Sequence, residues 1–345
     1  MVDRCVVKVS DLSVISEMTS PRNAVLDLVR VVGMFFVMFI HSPFDADIKI
    51  APGIFFLKSF LAVGAVPVFF LLSGYLGARK IDSAAVSAKV LFLEKWRSLV
   101  VPFLFWNSAL LSLIFLLKSI GLESVFKGSG TYFDVNCSIS SILSALFGIG
   151  RFPIVYQFWF LRDLIVAFLF AFLLCRFFPK IPLLPWFFFF IPLPMASSLG
   201  YYLLGHQLYY SLPPEKFPSF RLSILYCACW CVAGAGILLQ IVYIPYPLQQ
   251  IGSATFIFML ANVFGGVSLF ARLSVLAPAV FFIYATHQPL QSIAAKAWQS
   301  LHIPAYGTSL CFIFVPAIVF PLCAVSYYLL RSVSPRLLAF ATGGR

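Results

Sequence analysis

Continuous apolar runs, separated by short polar or proline-bearing pieces, fill most of the chain. Ten of them read as helices, over residues 24–42, 56–78, 98–117, 155–175, 182–194, 196–208, 222–243, 250–270, 276–298 and 308–330. They do not alternate apolar and polar positions as the strands of a barrel do. Most approach the roughly 20 residues that a helix needs to cross a bilayer. The pattern predicts an all-α fold, a polytopic transmembrane helix bundle of about ten spans. The fifth and sixth runs come from one stretch, Ile181 to Leu208, which Pro192 and Pro194 interrupt; read as one helix, it leaves nine spans. Between the third and fourth runs, Ile139, Ile142, Leu143, Leu146 and Phe147 recur at helical spacing with serines between them. That spacing predicts a short helix lying on the membrane surface.

Composition narrows the class. Of 345 residues, 61% are hydrophobic and 10% charged, against roughly 45–50% and about 25% in a soluble domain. A soluble two-domain enzyme is excluded, and the 40 Phe exclude disorder. The net charge of +12 does not imply a nucleic-acid partner, because the bases form no patch on a polar surface. Their placement decides between nine and ten spans. Cytoplasmic segments collect Lys and Arg. With ten spans the inner segments hold sixteen of the 24 bases, the outer ones six, and Arg30 and Arg162 lie within spans. Nine spans would put the basic C-terminal tail outside. The expected organisation is a cytoplasmic segment 1–23, a transmembrane domain 24–330 and a cytoplasmic tail 331–345, with a basic inner loop at 79–97. The first 20 residues lack the apolar core of a cleavable signal, so the first span is expected to act as its own targeting signal. The eight Cys include no CxxC pair, and Cys227, Cys229 and Cys231 point in different directions on a helix; they read as small apolar packing residues, not metal ligands.

Ionisable side chains inside spans are costly and mark function. Arg30 and His41 share one face of the first span, eleven residues apart, which is about 16 Å along the axis. Asp27, three residues before Arg30, can neutralise it. Either this stripe carries a permanent cation at one end and a titratable base at the other, or Arg30 snorkels and His41 marks the interface. Arg162 and Asp163 are adjacent near the outer end of the fourth span. Adjacent helix positions do not face one another, so each is expected to find a partner elsewhere. Asp163 or Arg162 is expected to meet His41 in an outward-facing polar pocket, where Asp163 can orient the imidazole; an interhelix ion pair is the structural alternative. His287, beside Gln288 and Pro289, reads first as a histidine hydrogen-bonded within a kinked helix.

These segments resemble the integral-membrane acyltransferase 3 family. Arg30 and His41 stand in its LDxxR…H setting. VPVFFLLSGYLGARK resembles its FFxLSGF segment, and KWRSLVVPFLFWN its basic-then-proline approach to the third span. QFWFLRDLIV resembles its WFLRDL segment and FFIYATHQPL its IYxxH segment. The five matches run in order from residue 24 to about residue 290, over most of the chain. Some relatives add a secreted hydrolase-like domain; the chain stops at Arg345 and is expected to be a membrane-only member. Lys95 and Arg97 replace two closely spaced arginines.

The resemblance implies an acyltransferase of groups other than aminoacyl groups, in the bacterial inner membrane. Its donor is acyl-CoA, typically acetyl-CoA, with no metal, and its acceptor is a hydroxyl of an envelope saccharide or glycolipid. Membrane lipid and envelope-polymer assembly proteins are the other partners. Arg30, Lys95 and Arg97 then suit the donor's phosphates, while Arg79 and Lys80 read as plain positive-inside charge. His41 suits a general base, worth roughly 10²–10⁴-fold. Arg162, Ser73 and Trp159 are candidate oxyanion donors. A transporter or flippase using the same stripe as a relay, and a structural partner in a polymer-assembly complex, are the competing readings. No internal repeat supports the transporter.

Overall fold

Asn23 starts the bundle. Its side-chain oxygen accepts from the backbone N–H of Val25 at 3.0 Å and of Leu26 at 3.4 Å, capping α1 (Ala24–Ile40). A cap of this kind contributes about 1 kcal/mol by satisfying donors that the first turn leaves open. The computed structural model describes residues 23–42, 51–82, 88–122, 135–177, 184–189, 191, 195–213, 216–300 and 306–344. Among them there are helices and no strand. After α1 come α2 (Ala65–Asp82), α3 (Ala88–Lys95), α4 (Val101–Ser119), α5 (Ile139–Phe147), α6 (Trp159–Phe177) and α7 (Leu184–Phe189). They are followed by α8 (Ala196–Ser211), α9 (Phe220–Leu238), α10 (Tyr246–Gly265), α11 (Val280–Ser300), α12 (Tyr306–Val333) and α13 (Pro335–Thr342).

Among the described residues, seven helical stretches are long and apolar enough to cross a membrane: Pro52–Ile81, Lys89–Ser119, Tyr156–Leu174, Phe220–Leu238, Tyr246–Gly265, Ser268–Trp298 and Leu310–Val333. Seven of the ten predicted spans coincide with them. The other three are shorter among the described residues, with 17 helical residues in α1, six in α7 and 16 in α8. Length and composition thus support seven spans where the apolar pattern reads ten. The expected break at Pro192 and Pro194 lies outside the described residues. The basic inner loop differs from expectation: α2 continues to Asp82 and α3 begins at Ala88, so most of residues 79–97 is helix. The predicted surface helix is α5. Ser138 caps its start through Ser141 N–H at 3.2 Å, and Gly148 ends it in the left-handed conformation.

α1 is the central element. Leu28, Val29, Met34 and Met38 are buried on its successive faces, and it packs against α10, α2, α11, α12 and the 3₁₀ turn Arg272–Ala279. A helix apolar all round belongs in a core. One apolar cluster surrounds α1, α10, α11 and α12; a second joins α4, α6 and α8. Outward faces are apolar as well, with Leu173, Leu225, Val232 and Val325 exposed, as a lipid-facing surface requires. The tightest helix crossing is α2 on α8. A Cβ on Gly74 would lie 1.9 Å from Tyr202 O, and one on Gly205 2.0 Å from Leu71 O. Small residues let backbones meet this closely, which is how membrane helices gain packing energy without a hydrophobic drive between them.

Among the described residues, two π-helical turns interrupt the spans. Phe56–Leu61 precedes α2 and carries Lys58; Trp96–Val100 precedes α4 and carries Arg97. Such insertions widen the helix locally and recur at functional sites. The last described residues, expected as a tail, form α13, which docks on α4 through Trp106 Nε1, a donor to Ala341 O at 2.9 Å.

Candidate active site

One end of α1 and the neighbouring elements gather polar groups. His41 is the C-cap of α1 and half-buried. Its ring lies 5.4 Å from that of His287 and 6.3 Å, nearly perpendicular, from that of Tyr156. Lys58 Nζ donates to the carbonyl of Ser42 at 2.8 Å, so the first π-turn brings a cation beside His41. Gln291 Nε2 donates to Met38 O at 3.0 Å and ties α11 to the last turn of α1. Gln157 Nε2 donates to Ala285 O at 3.2 Å, and Tyr284 Oη donates to Gln157 O. These three links set α1, α11 and the turn before α6 at one level.

His287 is fully buried. Its Nδ1 lies 2.8 Å from Tyr284 O and 3.2 Å from Ile283 O. The sequence-based reading of a histidine bonded within its own helix is met. Its closeness to His41 is additional and was not legible from the sequence.

Arg162 and Asp163 differ from expectation. Instead of finding separate partners they pair with each other, Arg162 Nε to Asp163 Oδ1 at 3.0 Å and Nη2 to Oδ1 at 2.9 Å. Their Cβ atoms diverge, but the arginine stem is long enough to swing its head back along the helix. Arg162 Nη1 also donates to Gly148 O at 2.8 Å, and Ser198 Oγ donates to Asp163 Oδ2 at 3.5 Å. Among the described residues neither hydrogen-bonds to His41. The ring of Tyr284 is 6.3 Å from that of His287 and stacks on Phe158 at 5.5 Å. The segment leading to this pair is fixed by buried Asn107, whose Oδ1 accepts from Val155 N–H at 3.1 Å and whose Nδ2 donates to Phe103 O at 2.8 Å.

The other end of α1 carries Arg30. Its Nη1 pairs with Asp27 Oδ1 at 2.5 Å, as the three-residue spacing predicts, and about a third of its side chain (35%) is exposed. Beside it an open cleft of about 500 Å³ is lined by Ala24, Asp27, Arg272 and Ser274. Lys95 Nζ sits over the Phe168 ring, 5.6 Å from its centre, a cation–π contact. Arg97 is exposed on the second π-turn, and its backbone carbonyl faces Gly343 after α13. A second cleft of about 350 Å³ opens between α12, α13 and Pro278, with Tyr327 and Arg331 in its wall.

Sequence reasoning missed Lys58, Gln157 and Gln291. Lys58 was visible as a lone cation in the first turns of the second apolar run. The two glutamines were visible as polar side chains inside spans, yet glutamine in a span is cheap enough to pass without a function attached.

Comparison with known proteins agrees with these features. A family described as an acyltransferase domain, acyltransferase 3, matches residues 23–331. The succinoglycan biosynthesis protein ExoH of Rhizobium meliloti is 24% identical over 352 residues, covering 94% of this chain and 92% of its own. No solved structure matches. A helical bundle with apolar outer faces, a histidine at one end of a buried helix and an arginine at the other is therefore seen in a chain that belongs to the acyltransferase 3 family and is a multi-pass membrane acyltransferase.

Proposed function

We propose that this protein is an O-acyltransferase of the bacterial inner membrane. It moves an acyl group, acetyl or succinyl, from cytoplasmic acyl-CoA to a hydroxyl of an envelope saccharide or glycolipid. The observation that carries the reading is the central helix α1, with Arg30 at one end and His41 at the other, about 16 Å apart. Arg30, Lys95 and Arg97 bind the donor's phosphates, as charge-assisted donors do. The donor's thin arm runs along α1 toward His41. The name of ExoH, a protein of succinoglycan biosynthesis, supports a saccharide acceptor. Excess Lys and Arg on the inner segments supports ten spans with both termini in the cytoplasm, the transmembrane domain spanning 24–330.

His41 is the general base. As the acceptor oxygen attacks the thioester carbonyl, its proton passes to the imidazole. A C–O bond forms, the C–S bond breaks, and the departing thiolate takes the proton. Arg162 offers a fixed cation to the oxyanion that develops. Asp163 acts through Arg162, holding its guanidinium together with Gly148 O. No metal takes part.

Purified protein incubated with labelled acetyl-CoA tests this. Thioester consumption that drops roughly 10²-fold or more in His41→Ala, with donor binding retained, is the expected result. Full activity in that variant overturns the role of His41, and substrate uptake without thioester consumption replaces the enzyme by a transporter. Mass analysis of envelope glycans with and without the protein identifies the acceptor.

A further inference from the structure

We infer that His287 is a positioning residue for the acyl transfer: its Nε2 accepts the N–H of His41 and fixes which nitrogen of His41 faces the acceptor hydroxyl. The inference rests on the reading of His41 as the base.

The tautomer of His287 follows from its neighbours. Both atoms within hydrogen-bond reach of its Nδ1 are carbonyl oxygens, Tyr284 O at 2.8 Å and Ile283 O at 3.2 Å. A carbonyl only accepts, so Nδ1 carries the hydrogen and Nε2 of the neutral ring carries a lone pair. That Nε2 is buried and has no hydrogen-bond partner among the described residues, and the whole residue is fully buried. A buried acceptor left unpaired costs stability and calls for a reason.

His41 supplies one. The ring centres are 5.4 Å apart. A ring nitrogen lies about 1.2 Å from its ring centre, so facing nitrogens come to about 3 Å, a normal hydrogen bond. No hydrogen bond reaches His287 Nε2 among the described residues, so reaching that geometry takes a rotation of the His41 side chain at the end of α1. The distance between the backbones is held independently by the Gln291–Met38 bond one turn along α11.

The chemistry follows. A neutral imidazole has one N–H and one lone pair. With its N–H given to His287, His41 must turn its lone pair to the acceptor hydroxyl. When His41 takes the proton, the hydrogen bond to Nε2 becomes charge-assisted and stronger. The stabilisation therefore grows toward the transition state, which is what raises turnover rather than binding. No bond to His287 forms or breaks. This is the part that the sequence alone gave to Asp163, which the structure engages with Arg162 instead.

Three variants of the full-length protein test this, with acetyl-CoA as donor and thiol release as readout. His287→Phe keeps a ring and removes the acceptor. It is expected to lower kcat by roughly 10–100-fold, the usual effect of removing an orienting partner, with the KM for acetyl-CoA unchanged. His287→Gln can place Oε1 near the site of Nε2 and is expected to recover most of the loss. His287→Asn carries the same amide one methylene short and is expected to stay low. Should His287→Phe fail to fold, the Gln and Asn pair decides alone. Wild-type kcat in His287→Phe, or equal rates in Gln and Asn, overturns the inference while leaving His41 in place. Wild-type rates in His41→Ala overturn the base and this inference together.

Discussion

Arg162 and Asp163 are consecutive on α6 and yet pair with each other, Nη2 to Oδ1 at 2.9 Å. Asp163 is buried and the Arg162 side chain is about a quarter exposed (23%), so the pair sits at the edge of the bundle with its carboxylate turned inward. Gly148 O accepts from Nη1, which fastens the end of α5 to the start of α6. The result is a cation held in one place by three contacts of 2.8–3.0 Å to two partners, Asp163 and Gly148 O.

Removing the carboxylate should therefore cost stability. Asp163→Ala leaves a partly buried guanidinium with only Gly148 O and is expected to lower stability by about 3 kcal/mol. Asp163→Asn keeps an acceptor and is expected to lose less. The double variant Arg162→Ala with Asp163→Ala should recover part of the loss, because no charge is then left unpaired. Thermal unfolding in detergent checks all three; equal melting of Asp163→Ala and wild type would show the pair to be energetically idle.

The α2–α8 crossing gives a sharper structural prediction. Any side chain at Gly205 meets Leu71 O, and any at Gly74 meets Tyr202 O, backbone atoms that cannot swing aside. Gly205→Leu is expected to abolish recovery of folded protein, and Gly74→Ala to weaken it. Gly53, with nothing within 4 Å of an added Cβ, should accept Ala with stability unchanged within about 0.5 kcal/mol. Size-exclusion profiles of the three variants in detergent separate them.

The helical class, the apolar outer surface and the Asp27–Arg30 pair were legible in the sequence because each depends on local pattern. Uninterrupted apolar runs fix helix and membrane, and a three-residue spacing fixes a neighbour on a helix. Span count was less legible: α1 and α8 fall a few residues short of a full crossing, and hydropathy does not see where a helix ends. The partners of Arg162 and Asp163, and the closeness of His287 to His41, were not legible. They depend on how long side chains fold and which helices meet, contacts separated by more than 200 residues in the case of His41 and His287. Lys58 was hidden for a further reason. It reaches Ser42 from a π-turn, and nothing in the residue pattern announces that insertion.

Arg30 separates a structural role from a binding role. Its ion pair with Asp27 is partly exposed, and such pairs contribute at most about 1 kcal/mol. Asp27→Asn is expected to melt within that margin of wild type. Arg30→Ala should melt similarly but raise the KM for acetyl-CoA, the more so at low ionic strength, where an exposed cation attracts phosphate best. An unchanged KM in Arg30→Ala would remove Arg30 from the donor site.

The C-terminal helix is expected to act on the same step from the opposite side of the second π-turn. Trp106 Nε1 donates to Ala341 O, and the Phe105 and Phe340 rings meet edge to face at 5.4 Å. Gly343, at φ +72°, turns the chain against the backbone of Arg97, where an added Cβ would lie 2.6 Å from Arg97 O. Ending the chain after Val333 strips these contacts and leaves the Trp106 N–H without its acceptor, a loss of roughly 1–3 kcal/mol for that group alone. It also frees the turn that carries Arg97. The truncated protein is expected to melt earlier and to bind acetyl-CoA more weakly, while kcat at saturating donor stays near wild type, because His41 lies at the other end of α1. Gly343→Val should reproduce the KM effect without deleting the helix, since a β-branched residue tolerates neither that φ nor that contact. A fall in kcat with KM unchanged, in both variants, would instead place the influence of α13 at the transfer step and detach it from Arg97.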